Sequence, residues 1–252
     1  MPFDFSFVRA DMSGRDCLPI ELSEVGVAKG GRTLIDDLNL SIGSGRRTVL
    51  MGPNGAGKSL TLRLLQGAIA PDKGVVTAGG RPLDASNRKR IGLVLQRPIL
   101  LRRSVRANLD HALRAQRVAA SARRDRIEEL LTLAGLEHRA DAPARGLSGG
   151  EQQRLSIVRA LAAEPDVLLL DEPTASLDPH ATQSIERLID QTTDAGVKVV
   201  LVTHDCGQAR RLADEVLFLH QGRLAEHTPA ATFFENPVSE PARAYLAGRL
   251  VL

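Results

Sequence analysis

The chain has 252 residues, of which 43% are hydrophobic and 25% charged, the ordinary balance of a globular protein. No apolar run approaches the roughly 18 residues that span a bilayer, and two distant cysteines exclude a disulfide framework and suit a reducing compartment. The net charge is +3 and arginines cluster over residues 102–126, but no aromatic side chains lie among them to stack bases, which argues against nucleic acid as a partner.

The first part of the chain alternates short apolar runs with turn residues. Residues 1–18 lack the apolar core of a signal peptide, so we expect a loose leader, in which Met12 is an alternative start to Met1. A helix is predicted over residues 58–66, directly after a Gly/Pro/Asn turn. The strands predicted in this part are residues 19–27, 38–42, 46–51, 75–78 and 91–95.

The middle of the chain has a different pattern. From about residue 105 to 134 apolar residues follow helical spacing, as in Ile127, Leu130 and Leu131. We therefore interpret residues 97–150 as a helix-rich subdomain inserted into a strand–helix framework. After Glu151 alternation resumes, which predicts a mostly parallel sheet with helices on both faces. The strands predicted in this part are residues 167–171, 197–203 and 215–220. Helices are predicted at residues 151–163 and 179–195, directly before the strand at 215–220, and at two places beyond residue 229.

The stretch GPNGAGKS fits G-x-x-x-x-G-K-[ST] between a predicted strand and a predicted helix, the context in which this pattern binds phosphate. Backbone N–H groups of such a loop surround phosphate oxygens at the positive end of a helix. Lys58 would bridge the β- and γ-phosphates, and Ser59 would hold Mg²⁺ through its hydroxyl. The predicted nucleotide-binding residues are Gly52, Pro53, Asn54, Gly55, Ala56, Gly57, Lys58, Ser59 and Leu60.

The stretch VLLLDE places two acids at the end of a buried strand. The carboxyl ends of parallel strands are where α/β sheets bind ligands. Asp171 suits the Mg²⁺ shell, and Glu172 is a candidate general base for the attacking water.

These stretches, with Gln96, LSGGEQQR, SLD at residues 176–178 and His204, occur in the order found in ABC ATPases. The chain resembles that family over nearly its whole length from about Pro19. The resemblance implies an α/β fold: a P-loop NTPase core with a mixed, mostly parallel sheet and flanking helices, an antiparallel β part and an inserted ABC-type helical subdomain. It implies a single domain over residues 19–252, with residues 97–150 as the insertion.

The resemblance also implies the remaining roles. Ser148, Gly149 and Gly150 would face the γ-phosphate of ATP bound to a second subunit, so the chain would act as a head-to-tail homodimer. A helix N-terminus is an anion site, and two glycines permit close backbone approach to a phosphate. Gln96 would reach Mg²⁺ and the attacking water, Asp178 would communicate across the dimer, and His204 would contact the γ-phosphate.

One position departs from the family. ABC ATPases usually stack an aromatic side chain on adenine just before the GGRT turn, where this chain has Lys29. No Phe, Tyr or Trp occurs between Val8 and Leu217. We expect Lys29, Arg32 or Val27 to cover the base instead, with weak selection of adenine over guanine.

Three classes of ABC ATPase remain open. A DNA-repair ATPase would need a long coiled-coil insertion, and a ribosome-acting protein two cassettes, so we favour the ATPase of an importer. Such a chain would lie peripherally on the cytoplasmic face of the membrane, with a separate permease and an extracytoplasmic substrate-binding protein. Ile99, Leu100 and Leu101 would meet the permease, unless Leu100 and Leu101 fill the core. The C-terminal stretch resembles the ends of importer ATPases for phosphate, tungstate and polar amino acids, and residues 94–109 and 209–230 look most like the tungstate type. We therefore expect an oxyanion such as tungstate, phosphate or molybdate as the cargo, with a polar amino acid as the alternative.

Overall fold

The computed structural model describes residues 17–45 and 47–249. The predicted leader lies outside the described residues except for its last two, and so does Arg46, the first residue of the predicted strand 46–51. In chain order the first half contains β1 (Ile20–Lys29), β2 (Arg32–Ile42), β3 (Arg47–Met51), α1 (Lys58–Leu65), β4 (Lys73–Ala78), β5 (Arg81–Pro82), β6 (Ile91–Val94), α2 (Val105–Ala115) and α3 (Ala120–Ala134). The second half contains α4 (Gly149–Leu161), β7 (Val167–Asp171), α5 (Pro179–Asp194), β8 (Lys198–Val202), α6 (Cys206–Leu212), β9 (Glu215–His220), β10 (Arg223–Pro229), α7 (Ala230–Glu235) and α8 (Glu240–Leu246).

The strands form two sheets. The larger has the order β10-β9-β3-β8-β7-β6 and is parallel except for the pair of β9 and β10. The smaller is antiparallel, with the order β2-β1-β4-β5. This is the predicted α/β class with a mixed, mostly parallel sheet and an antiparallel part, and the fold class is confirmed.

Both faces of the larger sheet are buried, as expected for parallel strands. On β7, Leu168 and Leu170 belong to the hydrophobic cluster that includes α2, α3, α4 and α5. Val167 and Leu169 point to the other cluster, which contains the apolar residues of α1, β1 and β2. Because successive side chains of a strand alternate between faces, β7 is apolar at all four positions before Asp171.

The sequence reasoning missed two strands and one helix break. β5 has only two residues, and Glu226 is the buried residue of β10, so neither strand shows apolar alternation. The helical pattern of residues 105–134 is broken between α2 and α3, where Arg117 takes a positive φ of 61°. No glycine or proline marks that break in the sequence.

The predicted inserted subdomain contains α2 and α3, and α4 begins at its end. These three helices contact one another, and α4 also packs on β6 of the larger sheet. Leu100 is buried in the hydrophobic cluster that these helices share. It therefore fills the core, which was the alternative to a contact between Leu100 and the permease. Ile99 beside it is 69% exposed.

Candidate functional site

The predicted phosphate-binding loop follows β3, which lies between β9 and β8 in the larger sheet. Gly57 precedes α1 without a side-chain cap on the helix, so the first N–H groups of α1 are left for a ligand. Lys58 folds back over the loop, and its Nζ donates to the carbonyl oxygens of Gly52 (2.8 Å) and Pro53 (3.0 Å). Burial lowers the pKa of Lys58, and the nearby carboxylates of Glu172 and Asp171 oppose that shift.

Two glycines of the loop have no room for a side chain. A Cβ on Gly52 would lie 2.1 Å from the carbonyl oxygen of Leu219, and one on Gly57 would lie 2.6 Å from Ile35 Cδ1. Their φ values of 144° and 100° are also ones that other residues rarely adopt. The loop is therefore pressed against β9 and β2, which fixes its shape before any ligand binds.

Ser59 and Asp171 form the predicted metal-binding pair. The Ser59 hydroxyl donates to Asp171 Oδ1 at 3.0 Å, although the two residues are on α1 and β7. Burial raises the pKa of Asp171, and the hydrogen bond from Ser59 opposes the shift. Two hard oxygen ligands fit Mg²⁺, which takes its other ligands from water and phosphate. The described residues contain no cluster of three or more His, Cys, Asp or Glu side chains that could hold a metal unaided.

The three predicted catalytic side chains meet at one oxygen. Gln96, Glu172 and His204 follow β6, β7 and β8, three neighbouring strands whose carboxyl ends share an edge. Glu172 Oε2 lies 3.5 Å from Gln96 Nε2 and 3.2 Å from His204 Nδ1. The sequence therefore identified a group that the fold brings together across 108 residues of chain (204 − 96).

The backbone of Glu172 is left-handed, with φ of 45°. Its N–H donates to the carbonyl of Val202 on β8, and its carbonyl accepts from the N–H of Ala175. These two bonds hold the chain in a turn directly after β7. Non-glycine residues in this region cost about 1–3 kcal/mol and persist where the surroundings impose them.

Ser148 and Asp178 are both helix caps. Ser148 forms a capping box with Glu151 at the start of α4, and Asp178 Oδ1 accepts from the N–H of Ala181 in α5 (2.9 Å). That hydrogen bond is the largest of several that lower the pKa of Asp178. The two residues lie at adjacent helix starts, because α4 and α5 touch there.

The touching surfaces give Gly149 and Gly150 a packing role. A Cβ on Gly150 would lie 2.7 Å from the Cβ of Ala181, and one on Gly149 would lie 3.2 Å from Leu177 Cδ2. The sequence reasoning attributed both glycines to the approach of a phosphate and missed this contact. Nothing in the sequence signals it, since it depends on how two separate helices meet.

A residue that the sequence reasoning overlooked links α4 to the catalytic group. Gln153 is only 2% exposed, and its side chain donates to the carbonyl oxygen of Leu95, one residue before Gln96 (3.3 Å). A buried polar side chain needs such a partner. The signal in the sequence was present but weak: Gln153 is within LSGGEQQR and lies two positions before Leu155 of the core.

The three residues expected to cover the base lie on β1 and β2. Lys29 and Arg32 pair across the turn of these strands and are both exposed, whereas Val27 is half-buried. Their role at the base therefore stays a prediction.

None of the helices in residues 17–45 and 47–249 is both long and apolar enough to span a membrane. A protein-family model described as ABC transporter matches residues 35–175. The chain is 38% identical over 250 residues to the phosphate import ATP-binding protein PstB 1 of Vibrio vulnificus, with 93% of this chain and 92% of that protein covered. It is 36% identical over 248 residues to the phosphate import ATP-binding protein PstB 2 of Natronomonas pharaonis, with 91% and 87% covered.

Solved structures give the same result. The chain is similar to cbiO1 of Clostridium perfringens, described as part of the ABC transporter complex cbiONQ, with a TM-score of 0.78 and 29% identity. The similarity covers 88% of this chain and 92% of that chain.

Proposed function

The chain belongs to the ATP-binding subunits of ABC transporters, and from this membership we propose that it hydrolyses ATP to drive import of an oxyanion such as phosphate or tungstate. The observation that carries the catalytic part is the meeting of Gln96 and His204 at Glu172 Oε2, on the strand that also holds Asp171 against Ser59. The phosphate importers among its relatives support the oxyanion.

The phosphate groups of ATP would bind at the start of α1. Lys58 would exchange its two carbonyl acceptors for phosphate oxygens of ATP. Ser59 and Asp171 would hold Mg²⁺, which supplies positive charge to the phosphate oxygens when bound. The predicted site residues Asn54, Gly55, Ala56 and Leu60 complete this loop.

Glu172 would act as the general base. Its Oε2 already accepts from Gln96 and lies 3.2 Å from His204 Nδ1, so the carboxylate faces both side chains before a water molecule arrives. His204 is the more exposed partner, with 59% of its side chain accessible, and it would turn its other ring nitrogen to the γ-phosphate. Gln96 would complete the water site.

The second half of each site would come from another copy of the chain. Ser148, Gly149, Gly150 and Asp178 would close over ATP held by the P-loop of the partner, giving a head-to-tail homodimer with two ATP molecules. Closure would move the helical insertion of residues 97–150, and the bond from Gln153 to Leu95 would transmit that movement to Gln96.

The moving insertion would carry the permease with it. The permease would be a separate membrane protein, with an extracytoplasmic protein that delivers the oxyanion, and this chain would lie on the cytoplasmic face. Ile99 is exposed on the insertion beside Arg102 and Arg103, where a permease helix can dock. The cargo contacts the other subunits, so its identity has to be measured.

The test is cellular uptake of phosphate, tungsten and molybdenum by elemental analysis, in cells with the native chain and in cells with Glu172→Gln. Selective loss of uptake of one oxyanion would support the proposal and identify the cargo. If cells with Glu172→Gln take up all three as well as cells with the native chain, oxyanion import is excluded and the alternative cargo, a polar amino acid, is favoured.

A further inference from the structure

A side chain from the C-terminal helices reaches the loop of His204. The phenol of Tyr245 on α8 donates a hydrogen bond to the backbone carbonyl oxygen of His204, with 3.3 Å between the two oxygens. The two residues are separated by 41 positions in the chain. The imidazole of the same His204 lies 3.2 Å from Glu172 Oε2.

The ring of Tyr245 is held by other aromatic rings. Its centroid lies 5.3 Å from that of Phe218, which is fully buried on β9. Phe218 also contacts Phe233 at 5.7 Å, and Phe233 contacts Phe234 at 5.2 Å. Such tilted and edge-to-face pairs favour one arrangement of the rings. These four residues are all the Phe, Tyr and Trp residues in the described part of the chain, and they form one cluster that reaches His204 through Tyr245.

The other end of the loop is bound to the same cluster. His204 is followed by Asp205, which caps α6 by accepting from the N–H groups of Gly207 and Gln208. Arg210 of α6 stacks over the ring of Phe234, 4.5 Å from its centroid, and donates to the carbonyl of Phe234 (3.4 Å). The chain is thus joined to the C-terminal helices at His204 itself and again at Arg210.

Tyr245 keeps the proton that this bond needs. Burial raises the pKa of its phenol to about 12, and electrostatic effects of the neighbouring Cys206 and Glu172 add to the shift. The hydroxyl therefore keeps its proton, and can donate it to the carbonyl, well above neutral pH.

We propose that Tyr245 is a positioning residue, which holds the His204 loop so that the imidazole stays beside Glu172. The C-terminal helices then act on catalysis through the backbone of His204, without contact with ATP. This inference rests on the proposed role of His204 in ATP hydrolysis.

The test removes only the hydroxyl. Tyr245→Phe in the full-length chain keeps the ring among its aromatic neighbours, and we expect kcat for ATP hydrolysis to fall about five-fold with an unchanged KM for ATP, the effect of losing one hydrogen bond. The matched control is Thr193→Val, which removes a hydroxyl that donates to a carbonyl at 3.0 Å in α5, away from the site. The control should lose as much thermal stability as Tyr245→Phe and keep the native kcat.

A double variant separates positioning from a merely structural role. If Tyr245 acts through His204, adding Tyr245→Phe to His204→Ala should lower kcat no further, whereas independent effects would multiply. If the two effects multiply, the positioning role of Tyr245 is overturned and the role of His204 is not. The same holds if kcat is unchanged in Tyr245→Phe while it is lowered in His204→Ala. A native kcat in His204→Ala would instead overturn the role proposed for His204, and the inference with it.

Discussion

At the scale of single residues, the site depends on side chains whose surroundings limit what else they can do. Glu172 is turned by a left-handed backbone toward Gln96 and His204, and Lys58 is bound to its own loop. Lys29 is the opposite case, since it is exposed at the turn of β1 and β2 and no hydrogen bond or ion pair within residues 17–45 and 47–249 holds its side chain. At exposed positions without such contacts, a substitution is expected to be able to improve function.

We expect Lys29→Tyr to lower the KM for ATP. An aromatic ring at this position would stack on adenine, an interaction worth about 1–3 kcal/mol per base. Lys29→Leu is the control, because it removes the same charge without adding a ring, and it should leave KM near the native value. Steady-state ATPase assays measure both, and an unchanged KM in Lys29→Tyr would show that the base lies elsewhere.

At the scale of elements, the start of α4 and the start of α5 are in direct contact at Gly150 and Ala181. The two helices supply the half-site proposed to close over a partner's ATP. A methyl group at position 150 would push them apart, since its Cβ would lie 2.7 Å from that of Ala181. Helix packing and phosphate binding therefore place separate demands on the same glycine.

The two demands can be separated by moving the methyl group from position 181 to position 150. Gly150→Ala should lower the free energy of unfolding by about 1–3 kcal/mol through overpacking, and Ala181→Gly added to it should restore most of that loss. We expect ATPase activity to stay low in the double variant, because the backbone at 150 would still be shielded from a phosphate. Urea unfolding and ATPase assays of both variants and of Ala181→Gly alone are the measurements. Joint recovery of stability and activity would mean that Gly150 serves packing only.

The opposite end of the larger sheet contains a charged cluster on four strands. Glu215 of β9 accepts from Thr48 on β3, from Lys198 on β8 (3.3 Å) and from His227 on β10 (2.9 Å). Lys198 is only 3% exposed, and this carboxylate is its ion-pair partner. Burial alone would raise the pKa of Glu215, but the three donors together lower it.

A lowered pKa makes the contribution of Glu215 dependent on pH. Because its folded-state pKa lies below the unfolded one, the carboxylate stabilises the fold above the unfolded pKa, and this stabilisation is lost as pH falls through the folded pKa. Glu215→Gln should cost about 2 kcal/mol at pH 7 by leaving Lys198 unpaired, and should flatten the loss of stability in acid. Thermal unfolding measured at pH values from about 3 to about 7, in steps of about one unit, tests this prediction. Glu235→Gln, at an exposed carboxylate, is the control and should behave like the native chain.

At the scale of the whole molecule, the site residues fall into two groups. The P-loop, Asp171, Glu172, Gln96 and His204 lie at the carboxyl ends of the strands, whereas Ser148, Gly149, Gly150 and Asp178 lie at the starts of α4 and α5. The described hydrogen bond from Gln153 to the carbonyl of Leu95 runs between the two groups. Two half-sites in one chain fit a molecule that works as a pair.

Mixing two inactive variants tests this pairing. Lys58→Ala lacks a working P-loop and Ser148→Arg blocks the other half-site, so each alone should be inactive. In a mixed dimer one complete site forms, and equal mixing should recover about a quarter of the native ATPase activity, since half of randomly formed dimers are mixed and each has one of two sites. An inactive mixture would contradict composite sites that act independently.

Sequence reasoning predicted most of the fold and those site residues that lie at the carboxyl ends of the strands. The phosphate loop, the two acids and the residues after β6 and β8 stand in patterns that adjoin apolar strands, so their position follows from local sequence. The contact of Gly150 with Ala181, the bond of Gln153 and the reach of Tyr245 to His204 depend on how distant elements meet. The edge strands β5 and β10 were missed because too few of their residues are buried.

The left-handed backbone at Glu172 has an evolutionary consequence. Glycine or asparagine would tolerate φ of 45° better than glutamate does, and would make the fold more stable while removing the proposed base. In a lineage that no longer needed transport, mutation would therefore tend to replace this glutamate early, and the change would improve folding. At this position the proposed catalytic role and the stability of the fold therefore favour different residues.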